Sequence, residues 1–418
     1  MHRPPFCPHE GCPCHIDPDS PESRVLADLD WFKRNGSYPT KVRGPIERFK
    51  CLVCGRGFST QTFSLDYYTK RIIDYESVCR ELCSSSSVRC ISRSLGCSCD
   101  SVTNRISRYA RQCISAGSRL LADFDVKEDL AADGFESFAV SQYFPNNIHI
   151  LAGTDSQLVY FCDYVTLRRS GRMTPVQKRI RAALEELYRP SPEALTESFS
   201  ELLDHVHARL ERCERDRLTL NTDGKLEYCR ALSQCKALAG PIAEKRLVHE
   251  RTDSRAIRDA RNPLFSVNYI DRELRKDLAE HVRETVRFAR NVNHCMERLW
   301  IYLFDHNTRK RYRINDPVAS HRTHALVAGV EPTVIARARA RLTTGRRFLS
   351  FENLEPAALR VWRREHHTPL KGIVRGALRE IKRQAGRGVV ELQAVREKLG
   401  VDQLIADTTQ YLPRYALA

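Results

Sequence analysis

The stretch Leu218-Thr219-Leu220-Asn221-Thr222-Asp223-Gly224 decides the fold. Its leucines alternate with small polar residues, so it reads as a buried strand that ends in an acid and a glycine. Upstream lie two helical stretches, residues 174–188 and 193–214, broken by Arg189-Pro190-Ser191-Pro192. Further upstream are three β-type runs. Ala131-Ala132-Asp133-Gly134-Phe135-Glu136-Ser137-Phe138-Ala139-Val140 is the first, Ile148-His149-Ile150-Leu151-Ala152 the second, and Leu158 to Val165 the third. Short turns are expected at Pro145-Asn146-Asn147 and Gly153-Thr154-Asp155.

Three strands, helix, strand, helix is the order of an α/β core of the ribonuclease H-like kind. In such a core, acids at strand ends converge on divalent ions. Two metals about 3.5–4 Å apart activate a nucleophile and stabilise the leaving oxygen of a phosphodiester. Asp133 lies within the first of these runs and Asp223 at the end of the fourth. Asp133-Gly134 is equally a turn signal, and Asp223-Gly224 equally the end of any structural strand.

The chain has 418 residues, 42% hydrophobic and 29% charged, which excludes a disordered polyelectrolyte and allows several folded parts. The net charge of +16 makes a polyanion the expected partner, nucleic acid first and an acidic membrane surface second. No run of about 18 apolar residues exists, so no membrane-spanning helix is expected. The opening Met1-His2-Arg3-Pro4-Pro5 lacks an apolar signal core, and the expected location is cytoplasmic, nucleoid-associated in a prokaryote. In that reducing compartment the sixteen cysteines are expected as metal ligands or small buried residues rather than disulfides.

The cysteines divide the chain. Cys7-x4-Cys12 and Cys51-x2-Cys54-Gly55 can supply four thiolates to one tetrahedral zinc, with Cys14 and His15 competing for the place of Cys12. Trp31, Lys33, Arg34, Tyr38, Lys41 and Arg43 between the pairs suit phosphate contact, or equally a solvated hairpin. From Ser84 to Cys113 the chain reads as a helix-turn-helix. Val88, Ile91 and Leu95 form one stripe, Gly96 the turn, and Val102, Ile106 and Tyr109 the second stripe. Arg105, Arg108 and Arg111 share another face of that second helix, the pattern of a major-groove reader. Many helical hairpins of this shape bind nothing. The expected organisation is a zinc ribbon over 1–62, a helix-turn-helix domain over 63–120, a core over 121–312 and a basic helical region over 313–418. That last region offers further DNA contact, self-association or a stabilising bundle.

Three stretches carry a resemblance: Asp133-Gly-Phe-Glu-Ser-Phe138 with Gly153-Thr-Asp-Ser156; Asn221-Thr-Asp-Gly-Lys-Leu-Glu-Tyr228; and Asn262-Pro-Leu-Phe-Ser-Val-Asn-Tyr-Ile-Asp-Arg-Glu-Leu-Arg-Lys-Asp-Leu278, continuing through Arg283-Glu-Thr-Val-Arg-Phe-Ala-Arg-Asn291 to about 307. With them the chain resembles the insertion-sequence transposases of the DDE type, the insertion-sequence-one family in particular, over roughly residues 7 to 310. The resemblance implies a DNA transposase that hydrolyses phosphodiesters and transfers strands with Mg²⁺ or Mn²⁺. It implies double-stranded DNA, both element ends and target, as partner, and a homodimer or larger assembly. The family's first two metal-binding acids fall on Asp133 and Asp223. Its third is a Glu followed seven positions later by a basic residue, and here Asn268 and Arg275 stand at those places. An Asn carbonyl binds Mg²⁺ without charge. Asp271, one turn on, is the nearest carboxylate, or else an ion-pair partner of Arg275. Asp155, Asp163, Glu273 and Glu297 are lesser candidates. Arg283, Arg287 and Arg290 fall on one face of an expected helix that would hold the DNA backbone. Asn268 also supports an alternative, a catalytically inactive transposase-derived DNA-binding protein or regulator. A nuclease that does not join strands would use the same acids.

Overall fold

A computed structural model describes residues 3–213, 215–253, 255–282, 285–317, 320–371 and 376–399. The front of the chain holds a short helix α1 (Glu22–Asp28) and three strands, β1 (Phe32–Thr40), β2 (Gly44–Cys51) and β3 (Gly57–Ser59), paired antiparallel in that order. The segment between the cysteine pairs forms a hairpin. Lys33, Arg34, Lys41, Arg48 and Lys50 stand exposed on it. Its core is small and aromatic, with Phe6, Trp31, Phe49 and Phe58 buried together, and Phe348 from the far end of the chain completes it.

Three helices follow: α2 (Tyr75–Leu82), α3 (Val88–Ser94) and α4 (Cys99–Leu121). Ser87 and Ser98 cap α3 and α4 by accepting from Cys90 N and Ser101 N. Between them Gly96 turns at φ +56°, a left-handed position that suits glycine. The two-helix reading of 84–113 is thus formed as expected. Its basic face is not. Arg105, Arg108 and Arg111 are buried, at 3%, 6% and 9% exposure, in a helix whose middle is covered on all sides. Arg105 pairs with Asp66 at 3.4 Å and donates to Arg71 O at 2.7 Å. Arg108 donates to Leu65 O at 2.8 Å and lies 3.8 Å over the Tyr67 ring, while Arg111 donates to Trp362 O at 3.2 Å. Burial of three guanidiniums is tolerated because backbone carbonyls and Asp66 meet them. They cannot read a DNA groove from there.

The second sheet holds β4 (Leu130–Phe138), β5 (Pro145–Gly153), β6 (Val159–Thr166), then, after helices α5 (Pro175–Leu187) and α6 (Ala194–Leu210), β7 (Leu218–Asp223). Helices α7 (Leu226–Gln234) and α8 (Lys236–Ala243) lead to β8 (Leu247–Thr252). The order is β6-β5-β4-β7-β8, with β5 antiparallel to both its neighbours and β7 parallel to β4 and β8. The runs read from sequence are these strands, with one shift. Pro145, Asn146 and Asn147 lie inside β5, and the turn falls before them, where Val140 takes φ 65°.

Helix α6 packs on β5 and β6, and α9 (Phe265–Asp277) on β4 and β5. Helix α10 (Val292–Thr308) lies between β6 and α4, fastened by Ser107 Oγ donating to Glu297 at 2.8 Å. The expected helix over 283–290 is not formed where it is described. Arg283 lies outside the described residues, residues 285–290 are turn and bridge, and Ala289 bridges to Ala139. Arg287 donates to Ser85 O at 2.8 Å, and Arg290 lies over Phe288. Among the described residues, Arg287 and Arg290 therefore do not share a helical face.

The rest is helical: α11 (His324–Ala328), α12 (Pro332–Ala340), α13 (Pro356–Arg363), α14 (Ala377–Gly386) and α15 (Leu392–Leu399). Helices α14 and α15 form a separate apolar cluster with α5 around Leu184 and Ile381. No helix of the described residues is long and apolar enough to cross a membrane.

Burial holds four histidines neutral, pushing His149 down to about 3 and His281, His324 and His366 down to about 4. In the unfolded chain each takes a proton near its ordinary value of about 6.5. Unfolding therefore takes up protons below that pH, and stability falls as pH drops from about 6.5 toward 4, by at most about 1.4 kcal/mol per pH unit for each histidine. Asp271, raised to about 8 by burial, runs the other way, as do Asp133 and Asp305, while His306, also lowered by burial, adds to the histidines. Calorimetry at pH 7, 6 and 5 is expected to show a falling Tm, and a shallower fall in His324→Asn. Equal slopes would refute a neutral His324.

Candidate functional site

Strands β4 and β7 run parallel with Leu130, Ala131 and Ala132 opposite Leu220, Asn221 and Thr222. One residue beyond the last pair, each strand carries an aspartate, Asp133 and Asp223. Being in register, the two side chains leave the sheet on the same face. That face is the one under α9. Phe135, two residues from Asp133, has the Arg275 guanidinium 4.6 Å over its ring. Glycine suits the position after Asp133, because a Cβ on Gly134 would come within 2.1 Å of the buried Asn147 amide and force that side chain to shift.

Both acids are partly exposed, 18% each, and both are held. Asp133 Oδ1 accepts from Gly134 N at 2.6 Å, and Asp223 Oδ1 accepts from Lys225 N at 3.1 Å across the Asp-Gly turn. The Lys225 ammonium stands between them, 3.4 Å from Asp133 Oδ1 and 3.5 Å from Asp223 Oδ2, with Tyr228 Oη at 3.4 Å. Burial raises the Asp133 carboxyl above its ordinary range, opposed by Lys225 and reinforced by Asp223. Burial works against the charge of Lys225, yet Asp133, Asp223 and Glu136 hold its ammonium above the usual lysine value.

Helix α9 carries Asp271. Burial, then the charge of Asp133, pushes Asp271 up to about 8, with Arg275, Lys225 and Arg258 opposing. Asn268 turns its amide back into its own helix, donating to Leu264 O at 2.8 Å. Arg275 donates to Glu136 O at 3.1 Å besides covering Phe135. The lesser candidates lie elsewhere. Asp163 pairs with Arg360 at 2.8 Å, Glu273 binds Lys276 and Lys310, and Glu297 binds Arg364 at 3.3 Å. Asp155 sits beyond Gly153, which pairs with the first residue of β4, at the opposite end from Asp223. Sequence reasoning passed over Lys225. Its signal was a lysine directly after an Asp-Gly turn at a strand end.

In the ribbon, the sulfurs of Cys7, Cys12, Cys51 and Cys54 all lie within 4.8 Å of one another. Cys7 to Cys54 and Cys12 to Cys51 are both 3.7 Å. A tetrahedron with Zn–S bonds of about 2.3 Å has edges of about 3.8 Å, so this cluster can hold a metal such as zinc. Cys14 and His15 stand outside it. Cys14 donates its N–H to Cys12 Sγ at 3.4 Å. His15 bonds to Cys7 O and to Ser350 Oγ, both at 2.7 Å, and stacks on Phe351. A second group, Glu280, His281 and Cys295, is also close-packed and buried, but Arg298 already neutralises Glu280.

No protein-family model matches the chain, and no curated protein matches it.

Proposed function

We propose that the chain is a DNA transposase of the DDE type that binds the ends of an insertion sequence and carries out metal-dependent phosphodiester hydrolysis and strand transfer. The observation that carries this reading is the in-register pair Asp133 and Asp223 on adjacent parallel strands, with Asp271 in the field of Asp133. A ribonuclease H-like core is supported by the order β6-β5-β4-β7-β8 with β5 alone reversed.

Three carboxylates offer hard oxygen donors, which fit Mg²⁺ or Mn²⁺. Asp133 and Asp223 would hold the ion, with Asp271 the candidate third ligand, although the oxygens of the three do not all lie within 4.8 Å of one another. When bound, it supplies Lewis-acid stabilisation and a more acidic water. The chain's own part is to fix the carboxylates: β4 and β7 by their register, the Asp223-Gly224 turn by its hydrogen bond to Lys225 N, and α9 by its packing on β4. DNA contact falls to the exposed cations, Lys33, Arg34, Lys41, Arg48 and Lys50 on the hairpin and Arg89 and Arg93 on α3. Holding two DNA ends together calls for a dimer or larger assembly.

A strand-transfer assay tests the reading. Labelled DNA from the borders of the coding region, with Mg²⁺ or Mn²⁺, is expected to be nicked and joined by the wild type. Asp223→Asn is expected to lose about a thousandfold or more. Nicking without joining would mean a nuclease. Specific border binding without cleavage would favour the inactive DNA-binding relative, for which Asn268 is the supporting feature.

A further inference from the structure

We infer that Lys225 is an internal counter-ion that occupies the place of the divalent cation, so that a metal enters the acidic site only by displacing its ammonium. This rests on reading the acids as a metal site.

Lys225 is the only cation among the described residues that ion-pairs with Asp133 or Asp223, and it reaches both, at 3.4 and 3.5 Å. Two partly buried carboxylates on neighbouring strands repel each other, and screening by salt is weak where water is scarce. One ammonium between them offsets that repulsion. Its placement is built in at both ends. The Lys225 N–H is fixed on Asp223 Oδ1, while Nζ reaches Asp133, Asp223 and Tyr228 Oη and lies 5.2 Å from the Tyr228 ring. Tyr228 itself is fully buried and stacked 4.0 Å from Phe199. A divalent ion bound by both carboxylates would meet the Lys225 charge at contact distance, and the two cations exclude each other. The lysine stem is flexible, with 27% of the side chain exposed, so the ammonium has solvent to move into. The consequence is a site that stays folded without metal and that binds metal more weakly than its three carboxylates alone would.

The test is Mn²⁺ titration of the full chain by calorimetry, with Tm measured with and without Mn²⁺. Lys225→Met is expected to bind Mn²⁺ about tenfold more tightly than wild type, since an ion pair no longer competes. Without metal its Tm should be lower, and Mn²⁺ should raise that Tm by more than in wild type. Lys225→Arg keeps the charge and should bind within about twofold of wild type. Lys225→Gln repeats the measurement if the methionine variant fails to fold. Equal or weaker Mn²⁺ binding in Lys225→Met and Lys225→Gln overturns the inference and makes Lys225 a support of the site. Asp223→Asn separates the two levels. If it binds Mn²⁺ as the wild type does, or if neither the wild type nor the Lys225 variants bind any, the metal reading of the acids fails and the inference with it. If it loses Mn²⁺ while the Lys225 variants show no gain, only the inference fails.

Discussion

Replacing Cys51 with serine is expected to empty the ribbon of its metal and unfold residues 3 to 63. Cys51 is fully buried at the end of β2, its sulfur 3.7 Å from Cys12, and it belongs to the quartet whose spacing fits a tetrahedral ion. A serine hydroxyl does not supply the thiolate such a site needs. The stake is large because the ribbon's apolar cluster is small, and a structural zinc site of this type is worth about 10–16 kcal/mol. Elemental analysis should find one zinc per chain in wild type and none in the variant. Limited proteolysis should cut within 3–63 and leave the second sheet, which belongs to a different apolar cluster. Cys14→Ser should keep its zinc, since Cys14 stands outside the quartet. Full zinc retention in Cys51→Ser would show that the ion is held elsewhere.

Asp271→Asn is expected to lower Mn²⁺-dependent DNA cleavage by about a hundredfold or more, while Asn268→Ala stays within a few fold. The two residues lie one turn apart on α9, yet they face different neighbours. Asp271 senses Asp133 and is pushed up to about 8, whereas Asn268 spends its amide on Leu264 O. A carboxyl pushed up to about 8 is largely protonated at neutral pH, so it would join the donor set by giving up its proton to the entering cation, which an amide has no means to do. Substitution by asparagine keeps the shape and removes that capacity. Steady-state cleavage with border DNA, compared with a DNA-binding measurement on the same variants, separates chemistry from affinity. Activity that survives Asp271→Asn but not Asn268→Ala would return the third position to Asn268.

The strands that carry the acids were legible because their places depend on neighbours in sequence. Leu218 to Asp223 alternates, Gly224 ends it, and Asp133 sits in a run of buried strand residues, so both strands could be placed before any contact was known, while the choice of these two aspartates came from the resemblance. The cysteine quartet was legible for a similar reason, since each close pair lies on one turn. The choice between Asn268 and Asp271 was not legible. One helical turn separates them, and periodicity does not say which of two adjacent positions meets a strand from elsewhere. Strand β8 escaped notice because it is an edge strand, with Leu247 its only buried residue, and shows no alternating apolar pattern.

The sequence by itself determined the local elements: the strands around Asp133 and Asp223, the break at Pro190 and Pro192 between α5 and α6, the serine-capped helices around Gly96, and the cysteine pairs. Their causes act within a few residues, through side-chain period, caps and backbone freedom. Only the tertiary structure decided what covers those elements. Segments 65–71 and 341–364 bury the arginines and Gln112 of α4, Phe348 closes the ribbon, and Lys225 comes to rest between two aspartates. Arg105, Arg108 and Arg111 look like a solvated basic face because nothing within their own helix records the carbonyls of Arg71, Leu65 and Trp362. Burial and charge pairing are set by chain segments tens to hundreds of residues away, and no local period carries that information.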